Sequence, residues 1–135
     1  MISKISEKSR TKESIRLEEY YNQWRKISWD NKEEKLNLLT KIDKIADCIE
    51  DEDSEIVAYY LIRIAYLFPR ENYSEIAEKY FLKVAKRAEL LVNQADVLET
   101  AYEGLGDLYF ETKQYDKASD IYMKLLVIKE IADFK

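Results

Sequence analysis

Apolar residues recur at intervals of three and four along almost the whole chain, which is the spacing of one face of an α-helix. Only two glycines and one proline interrupt the 135 residues, so few positions favour turns. The pattern therefore predicts an all-α fold of about six helices joined by short connections. The first dozen residues, 1–12, lack this periodicity, and we expect them to form a flexible N-terminal segment.

The periodic segments fall into three pairs, and each pair is long enough to form a helical hairpin. The sequence therefore predicts a single helical-repeat domain over 13–135. We divide this domain into an N-terminal hairpin, a degenerate repeat and a clear repeat, at 13–50, 54–94 and 96–131.

Four consecutive acidic residues, 50–53, interrupt the pattern before the third helix. Such a run is usually a solvated turn, and negative charge at a helix N-terminus is favourable because of the helix dipole. We expect Asp53 or Ser54 to cap this helix, because short oxygen-bearing side chains satisfy its first backbone N–H groups.

The composition removes several classes of chemistry. The sequence contains no histidine, which excludes Ser-His-Asp and Cys-His catalysis and the usual histidine-containing zinc sites. Cys48 is the single cysteine, so the chain forms no intramolecular disulfide, and we expect a cytoplasmic location. Cys48 follows the apolar stripe of the second helix, where we expect it to be buried. We predict no catalytic residue, metal ligand or cofactor.

Charge and hydropathy limit the possible partners. The formal net charge of -5 argues against nucleic-acid binding, which normally requires a basic surface. The most apolar stretch, 56–68, is too short to cross a bilayer and carries Arg63 in its middle. We therefore expect neither a nucleic acid nor a membrane as a partner.

One segment combines aromatic and small residues in a specific order. It runs Ala101-Tyr102-Glu103-Gly104-Leu105-Gly106-Asp107-Leu108-Tyr109 and continues with Tyr115, Ala118 and Tyr122. This segment resembles a tetratricopeptide repeat, a helix-turn-helix unit of about 34 residues. The resemblance implies a short right-handed solenoid in which Gly106 allows the paired helix to approach closely. No strand precedes Gly104, so we interpret the two glycines as packing positions rather than a phosphate-binding loop.

A degenerate second copy of the same pattern precedes this segment. Residues Tyr59, Ile62 and Tyr66 lie 43 positions before Tyr102, Leu105 and Tyr109. In the second helix of the unit, Ala77 and Phe81 lie 41 positions before Ala118 and Tyr122. The spacing exceeds the usual period, and Arg63 replaces the expected glycine.

A longer part of the chain is similar to the Rap proteins, which are bacterial regulators of response regulators and transcription factors. The similarity rests on Tyr20, Trp24, Ile27, Leu39, Ile42, Ile45, Ile49, the acidic run and Tyr59-Tyr60, and on 77–110. It implies a regulator that sequesters such a partner. Rap phosphatases carry a glutamine just after the acidic turn, whereas Ser54 occupies the matching position here. A serine hydroxyl cannot present both functions of an amide, so phosphatase activity would require some other amide or carboxylate.

The repeat geometry predicts a groove for a partner, because the first helix of each hairpin lines the concave face. In the two repeats this face would present Tyr60, Ile64, Leu67, Glu103, Asp107 and Phe110. Glu103 and Asp107 would repel a terminal carboxylate, so the expected partner is a basic or amphipathic helix or an extended peptide.

The sixth helix carries more apolar residues than one neighbouring helix can cover. We expect self-association through Ile121, Leu125 and Ile128, with Leu126, Ile131 and Phe134 on the same helix, because repeat arrays usually end in a polar capping helix. The predicted partners are thus a protein or peptide and a possible second copy of the chain.

Three functions fit these patterns. The first is a non-enzymatic interaction module, a regulator or adaptor that sequesters a protein or peptide partner. A Rap-like phosphatase that acts on a response regulator is the second, and a small tetratricopeptide-type secretion chaperone is the third.

Overall fold

The computed structural model describes residues 11–49, 54–68, 70–89 and 95–133, and nearly all of them are helical. Within these four ranges there are six α-helices and no β-strand. The helices are α1 (Lys12–Lys26), α2 (Lys32–Cys48), α3 (Ser54–Leu67), α4 (Arg70–Glu89), α5 (Ala95–Glu111) and α6 (Tyr115–Asp133). The predicted all-α fold is confirmed.

Local hydrogen bonds cap the start of α1 and the end of α5. Thr11 is the N-cap of α1, and its Oγ1 accepts a hydrogen bond from the Ser14 backbone at 3.2 Å. After α5, Lys113 adopts a left-handed conformation with a φ of 64°. The Gln114 N–H then reaches the Tyr109 carbonyl at 2.8 Å, which closes a Schellman motif. This cap turns the chain within a few residues into α6.

Two predicted segments fall partly outside the described residues. These are most of the flexible segment 1–12, of which residues 1–10 are not described, and the acidic run 50–53. Lys12 is already the first residue of α1, and Ser54 is the first residue of α3. The predicted caps at Asp53 or Ser54 therefore stay predictions.

The chain divides into two compact units, and the boundary falls inside α3, between Tyr60 and Leu61. One unit lies within residues 3–60, and the other lies within residues 61–135. The boundary lies within the segment 54–94, which the sequence analysis assigns to one repeat. The single domain over 13–135 stays a prediction.

In the unit of residues 3–60, α1 packs against α2. The apolar stripe of each helix forms the core, as its three-and-four spacing predicts. The buried side chains of these two helices include Leu17, Tyr21, Trp24, Leu38, Leu39, Ile42 and Ala46. Cys48, which we expected to be buried, is exposed, because it lies beside this stripe in the last turn of α2.

A buried lysine joins α1 to α2. Lys35 is only 3% exposed, and its Nζ donates a 2.8 Å hydrogen bond to the Trp24 carbonyl in the last turn of α1. The same ammonium lies 3.9 Å from the centroid of the Trp24 ring and 4.4 Å from that of Trp29. Burial lowers the pKa of Lys35. The cation thus receives favourable contacts from the helix C-terminus and from two indole faces.

In the unit of residues 61–135, α5 packs against both α4 and α6. Two glycines of α5 allow these approaches. A Cβ atom on Gly104 would lie 2.3 Å from Cε1 of Phe81 in α4, and one on Gly106 would lie 2.6 Å from Cε1 of Tyr122 in α6. The predicted role of Gly106 as a close-packing position is confirmed. Gly104 is also a packing position, as expected, and its neighbour is Phe81 of α4.

Candidate functional site

The predicted groove begins with two residues that the structure places in the interior. Tyr60 is 7% exposed, and its hydroxyl donates to Oε2 of Glu18 in α1 at 3.0 Å. Ile64 is fully buried. The expectation that both side chains are exposed is therefore wrong. α3 is apolar on most sides, so sequence spacing alone did not show which of its faces would be covered.

The other four predicted groove residues are exposed and lie in the unit of residues 61–135. Leu67 is the last residue of α3, whereas Glu103, Asp107 and Phe110 are spaced by four and three positions on α5. This spacing places the three side chains on one face of the helix. We call Glu103, Asp107 and Phe110 the acidic stripe of α5. Phe110 is 58% exposed, which is unusual for so large an apolar side chain.

Both carboxylates of the acidic stripe have partners on α6. Glu103 lies 3.6 Å from Lys129 Nζ, and the Tyr122 hydroxyl donates to Oδ1 of Asp107 at 2.6 Å. The Lys129 ion pair is exposed, so it contributes little to stability and leaves the carboxylate accessible. The hydrogen bond to Asp107 raises the pKa of Tyr122 to about 12, with burial as a smaller cause. Tyr122 is thus a neutral hydrogen-bond donor to Asp107 at physiological pH.

Tyrosine–carboxylate hydrogen bonds hold α5 in position against α4. Tyr102 donates to Glu89, and Tyr109 donates to Glu78. Burial raises the pKa of both tyrosines, and the adjacent carboxylates raise it further. Together with the close contact between Gly104 and Phe81, these bonds place the acidic stripe on a helix that is fixed on two sides.

The self-association residues predicted on α6 lie mainly on its covered side. Ile121 and Leu125 are buried, and Ile128 is partly exposed. The expectation that Ile121 and Leu125 form an open face is therefore wrong. Ala118 lies on the same face, and this stripe packs towards α5. Because α6 is apolar on two sides, the sequence did not show which side would be covered.

A different side of α6 carries the exposed apolar residues, and the buried Ala118 lies at its edge. Met123 is 58% exposed, and Leu126 and Val127 are each 50% exposed. A groove of about 510 Å³ runs along this side and includes the end of α5. Its lining consists of Phe110, Tyr115, Ala118, Ser119, Tyr122, Met123 and Leu126. The second apolar stripe was visible in the sequence, but the sequence analysis did not separate it from the first.

Comparison with known proteins adds no relative. No protein family, curated protein or solved structure matches this chain. The resemblances to tetratricopeptide repeats and to Rap proteins therefore stay predictions, and the functional argument rests on the geometry of this chain.

The described residues offer no metal site, because none of their His, Cys, Asp and Glu side chains form a group of three that could hold an ion. Gly104 and Gly106 lie in the middle of α5 rather than in a loop, which agrees with packing positions. Across the described part of the chain, no helix combines the length and the apolar character that a membrane crossing requires.

Proposed function

We propose that this chain is a non-enzymatic helical module that binds a protein or peptide partner, and that it acts as a regulator or adaptor by sequestering that partner. The observation that carries the proposal is the acidic stripe of α5. It combines two exposed carboxylates with an exposed Phe110 on a helix that neighbours fix on both sides.

The chemistry of the stripe indicates the kind of partner. Carboxylates attract lysine and arginine side chains, and an exposed aromatic ring binds an apolar side chain or the face of a guanidinium group. Because the carboxylates lie one helical turn apart, a partner with basic residues at matching spacing fits the stripe. This supports a basic amphipathic helix or a basic extended peptide, as expected from the sequence.

In the first step of the test, an affinity-tagged form of the chain is used to recover binding proteins from the cells that express it. A recovered protein is then purified, and its Kd is measured by calorimetry against the unaltered chain and three variants. The charge-reversed form, Glu103→Arg with Asp107→Arg, should bind at least about tenfold more weakly, because it repels a basic partner. Raising the salt concentration should weaken binding of the unaltered chain, since exposed charges are screened.

The matched control is Glu19→Arg with Glu75→Arg, which makes the same change in net charge at exposed positions of α1 and α4. This control should retain its affinity within about twofold. A second pair, Glu103→Gln with Asp107→Asn, removes the charges and keeps the shapes, so a structural defect can be separated from lost attraction. Equal affinities for the unaltered and charge-reversed chains would rule out the acidic stripe as the binding surface.

A further inference from the structure

The exposed side of α6 forms a continuous apolar strip. We define the outer face of α6 as Ser119, Tyr122, Met123, Leu126 and Val127. Their spacing of three, four, seven and eight positions from Ser119 places them on one side of the helix. Three of these five side chains are aliphatic or thioether groups with at least half of their surface exposed. Exposed strips of this kind usually mark an interaction site.

Part of this face has covered equivalents on α4. Phe81 and Ala85 of α4 lie 41 positions before Tyr122 and Leu126, and both are buried. Phe81 packs directly on Gly104 of α5, so a helix covers this face of α4. Tyr122 and Leu126 are exposed at the equivalent positions of α6. Leu82 and Lys86, which correspond to Met123 and Val127, are exposed on α4. The internal repetition therefore indicates that a helix covers the part of the outer face around Tyr122 and Leu126.

We propose that the outer face of α6 binds the outer face of α6 in a second copy of this chain, with the two helices antiparallel about a twofold axis near Tyr122 and Met123. In this arrangement the small Ser119 of one copy lies opposite the protruding Leu126 of the other. A twofold contact of this type requires a surface that is complementary to itself, and the pairing of Ser119 with Leu126 provides that complementarity.

The polar residues at the edges of the face fit the same arrangement. The antiparallel register brings Tyr115 near Glu130 of the second copy, and tyrosine–carboxylate hydrogen bonds already join α5 to α4 and α6 to α5 in this chain. The segment 115–133 carries three lysines and four acidic residues, so its charge is nearly balanced although the chain has a net charge of -5. Two copies of α6 can therefore approach without strong repulsion.

The area buried at the contact determines how tightly we expect the two copies to bind. A stable interface buries about 800 Å² per partner, and one helix pair buries less than this. We expect a weak dimer with a Kd on the order of 10 µM. The dimer and the proposed function involve different partners, although the two surfaces adjoin, because Phe110 of the acidic stripe also lines the groove beside Tyr122 and Met123.

Sedimentation equilibrium between about 1 and 200 µM tests the proposal. The unaltered chain should shift from monomer to dimer over this range, and Met123→Glu with Leu126→Glu should weaken dimerisation at least about tenfold, because carboxylates would be buried at the contact. Leu82→Glu is the matched control. Leu82 is exposed on α4, at the position that corresponds to Met123, and the substitution should leave the dimer unchanged.

A cross-linking experiment tests the register separately. In a Cys48→Ser background, Met123→Cys should form an intermolecular disulfide, because position 123 lies near its own copy at the twofold axis. Lys117→Cys, on another side of α6, should not. A chain that stays monomeric at about 200 µM would overturn the proposal. So would a dimer that Leu82→Glu disrupts as strongly as the paired substitution on α6.

Discussion

At the scale of single residues, two glycines of α5 pack against aromatic rings that differ in their exposure. The position of a Cβ on Gly104 is 2.3 Å from the Phe81 ring, which is fully buried. The position of a Cβ on Gly106 is 2.6 Å from the Tyr122 ring, which is 37% exposed. A buried ring cannot move aside as easily as one at the surface, because its neighbours occupy the surrounding space.

We therefore expect Gly104→Ala to destabilise the protein by about 1–3 kcal/mol through overpacking. Gly106→Ala should cost less, since Tyr122 can turn towards solvent and alanine gains about 1 kcal/mol of helix propensity over glycine. Urea unfolding followed by circular dichroism measures both free energies. An equal loss for the two variants would contradict this account of the contacts.

Lys35 is the second residue whose role depends on its surroundings. Its ammonium is bound by the Trp24 carbonyl and lies over the rings of Trp24 and Trp29. Lys35→Met keeps most of the side-chain volume but removes the charge and the hydrogen bond. We expect a loss of about 1–3 kcal/mol, which is typical for a hydrogen bond to a charged group.

Lys41→Met provides the control for this prediction, because Lys41 is an exposed lysine on the same helix. Its effect on the free energy of unfolding should stay within about 0.5 kcal/mol. Chemical denaturation of both variants measures these changes in the free energy of unfolding. If the two substitutions have the same effect, the contacts of Lys35 with α1 do not stabilise the protein.

At the scale of helices, tyrosine–carboxylate bonds make the packing of α5 sensitive to high pH. The folded-state pKa of Tyr109 is raised by burial and by Glu78, and that of Tyr122 is raised to about 12 by Asp107 and burial, from an ordinary value of 10.0. The protonated hydroxyl is the form that the fold stabilises. Stability from these bonds is therefore complete below about pH 10 and is lost as the pH rises through the folded-state pKa values.

Tyr109→Phe tests this pH dependence. At pH 7 the variant should lose about 1 kcal/mol, because Glu78 loses its hydrogen-bond donor. Between about pH 9 and pH 12 its stability should fall less than that of the unaltered chain, since one raised tyrosine pKa has been removed. Urea titrations at several pH values measure the slopes, with the exposed Tyr115→Phe as the control. Parallel slopes for Tyr109→Phe and the unaltered chain would contradict the prediction.

The helix pattern itself followed from local sequence. Three-and-four spacing predicted six helices, and the structure has six within the described residues. Helix ends were less predictable. Asn31 occupies the N-cap position of α2 and makes no side-chain cap hydrogen bond. Where several polar residues precede a helix, their capping energies differ too little to select one.

At the scale of the whole molecule, the predicted interaction residues divide by location. Leu67, Glu103, Asp107 and Phe110 are exposed, as the groove prediction requires. Tyr60 and Ile64 are each buried in their own unit, and the exposed apolar strip of α6 lies on a different side from Ile121 and Leu125. In each case the residue type was suited to either environment, so only the packing of neighbouring helices distinguished them.

The sequence by itself determined the helical class, the number of helices and the small positions where helices meet. These properties depend on periodicity and side-chain size, which are local. Only the tertiary structure decided which apolar face of α3 and α6 is covered, that Lys35 lies between two indole rings, and that Gly104 accepts Phe81. Such pairings join residues far apart in the chain, and the free energy gained by burying a face depends on the partner that covers it.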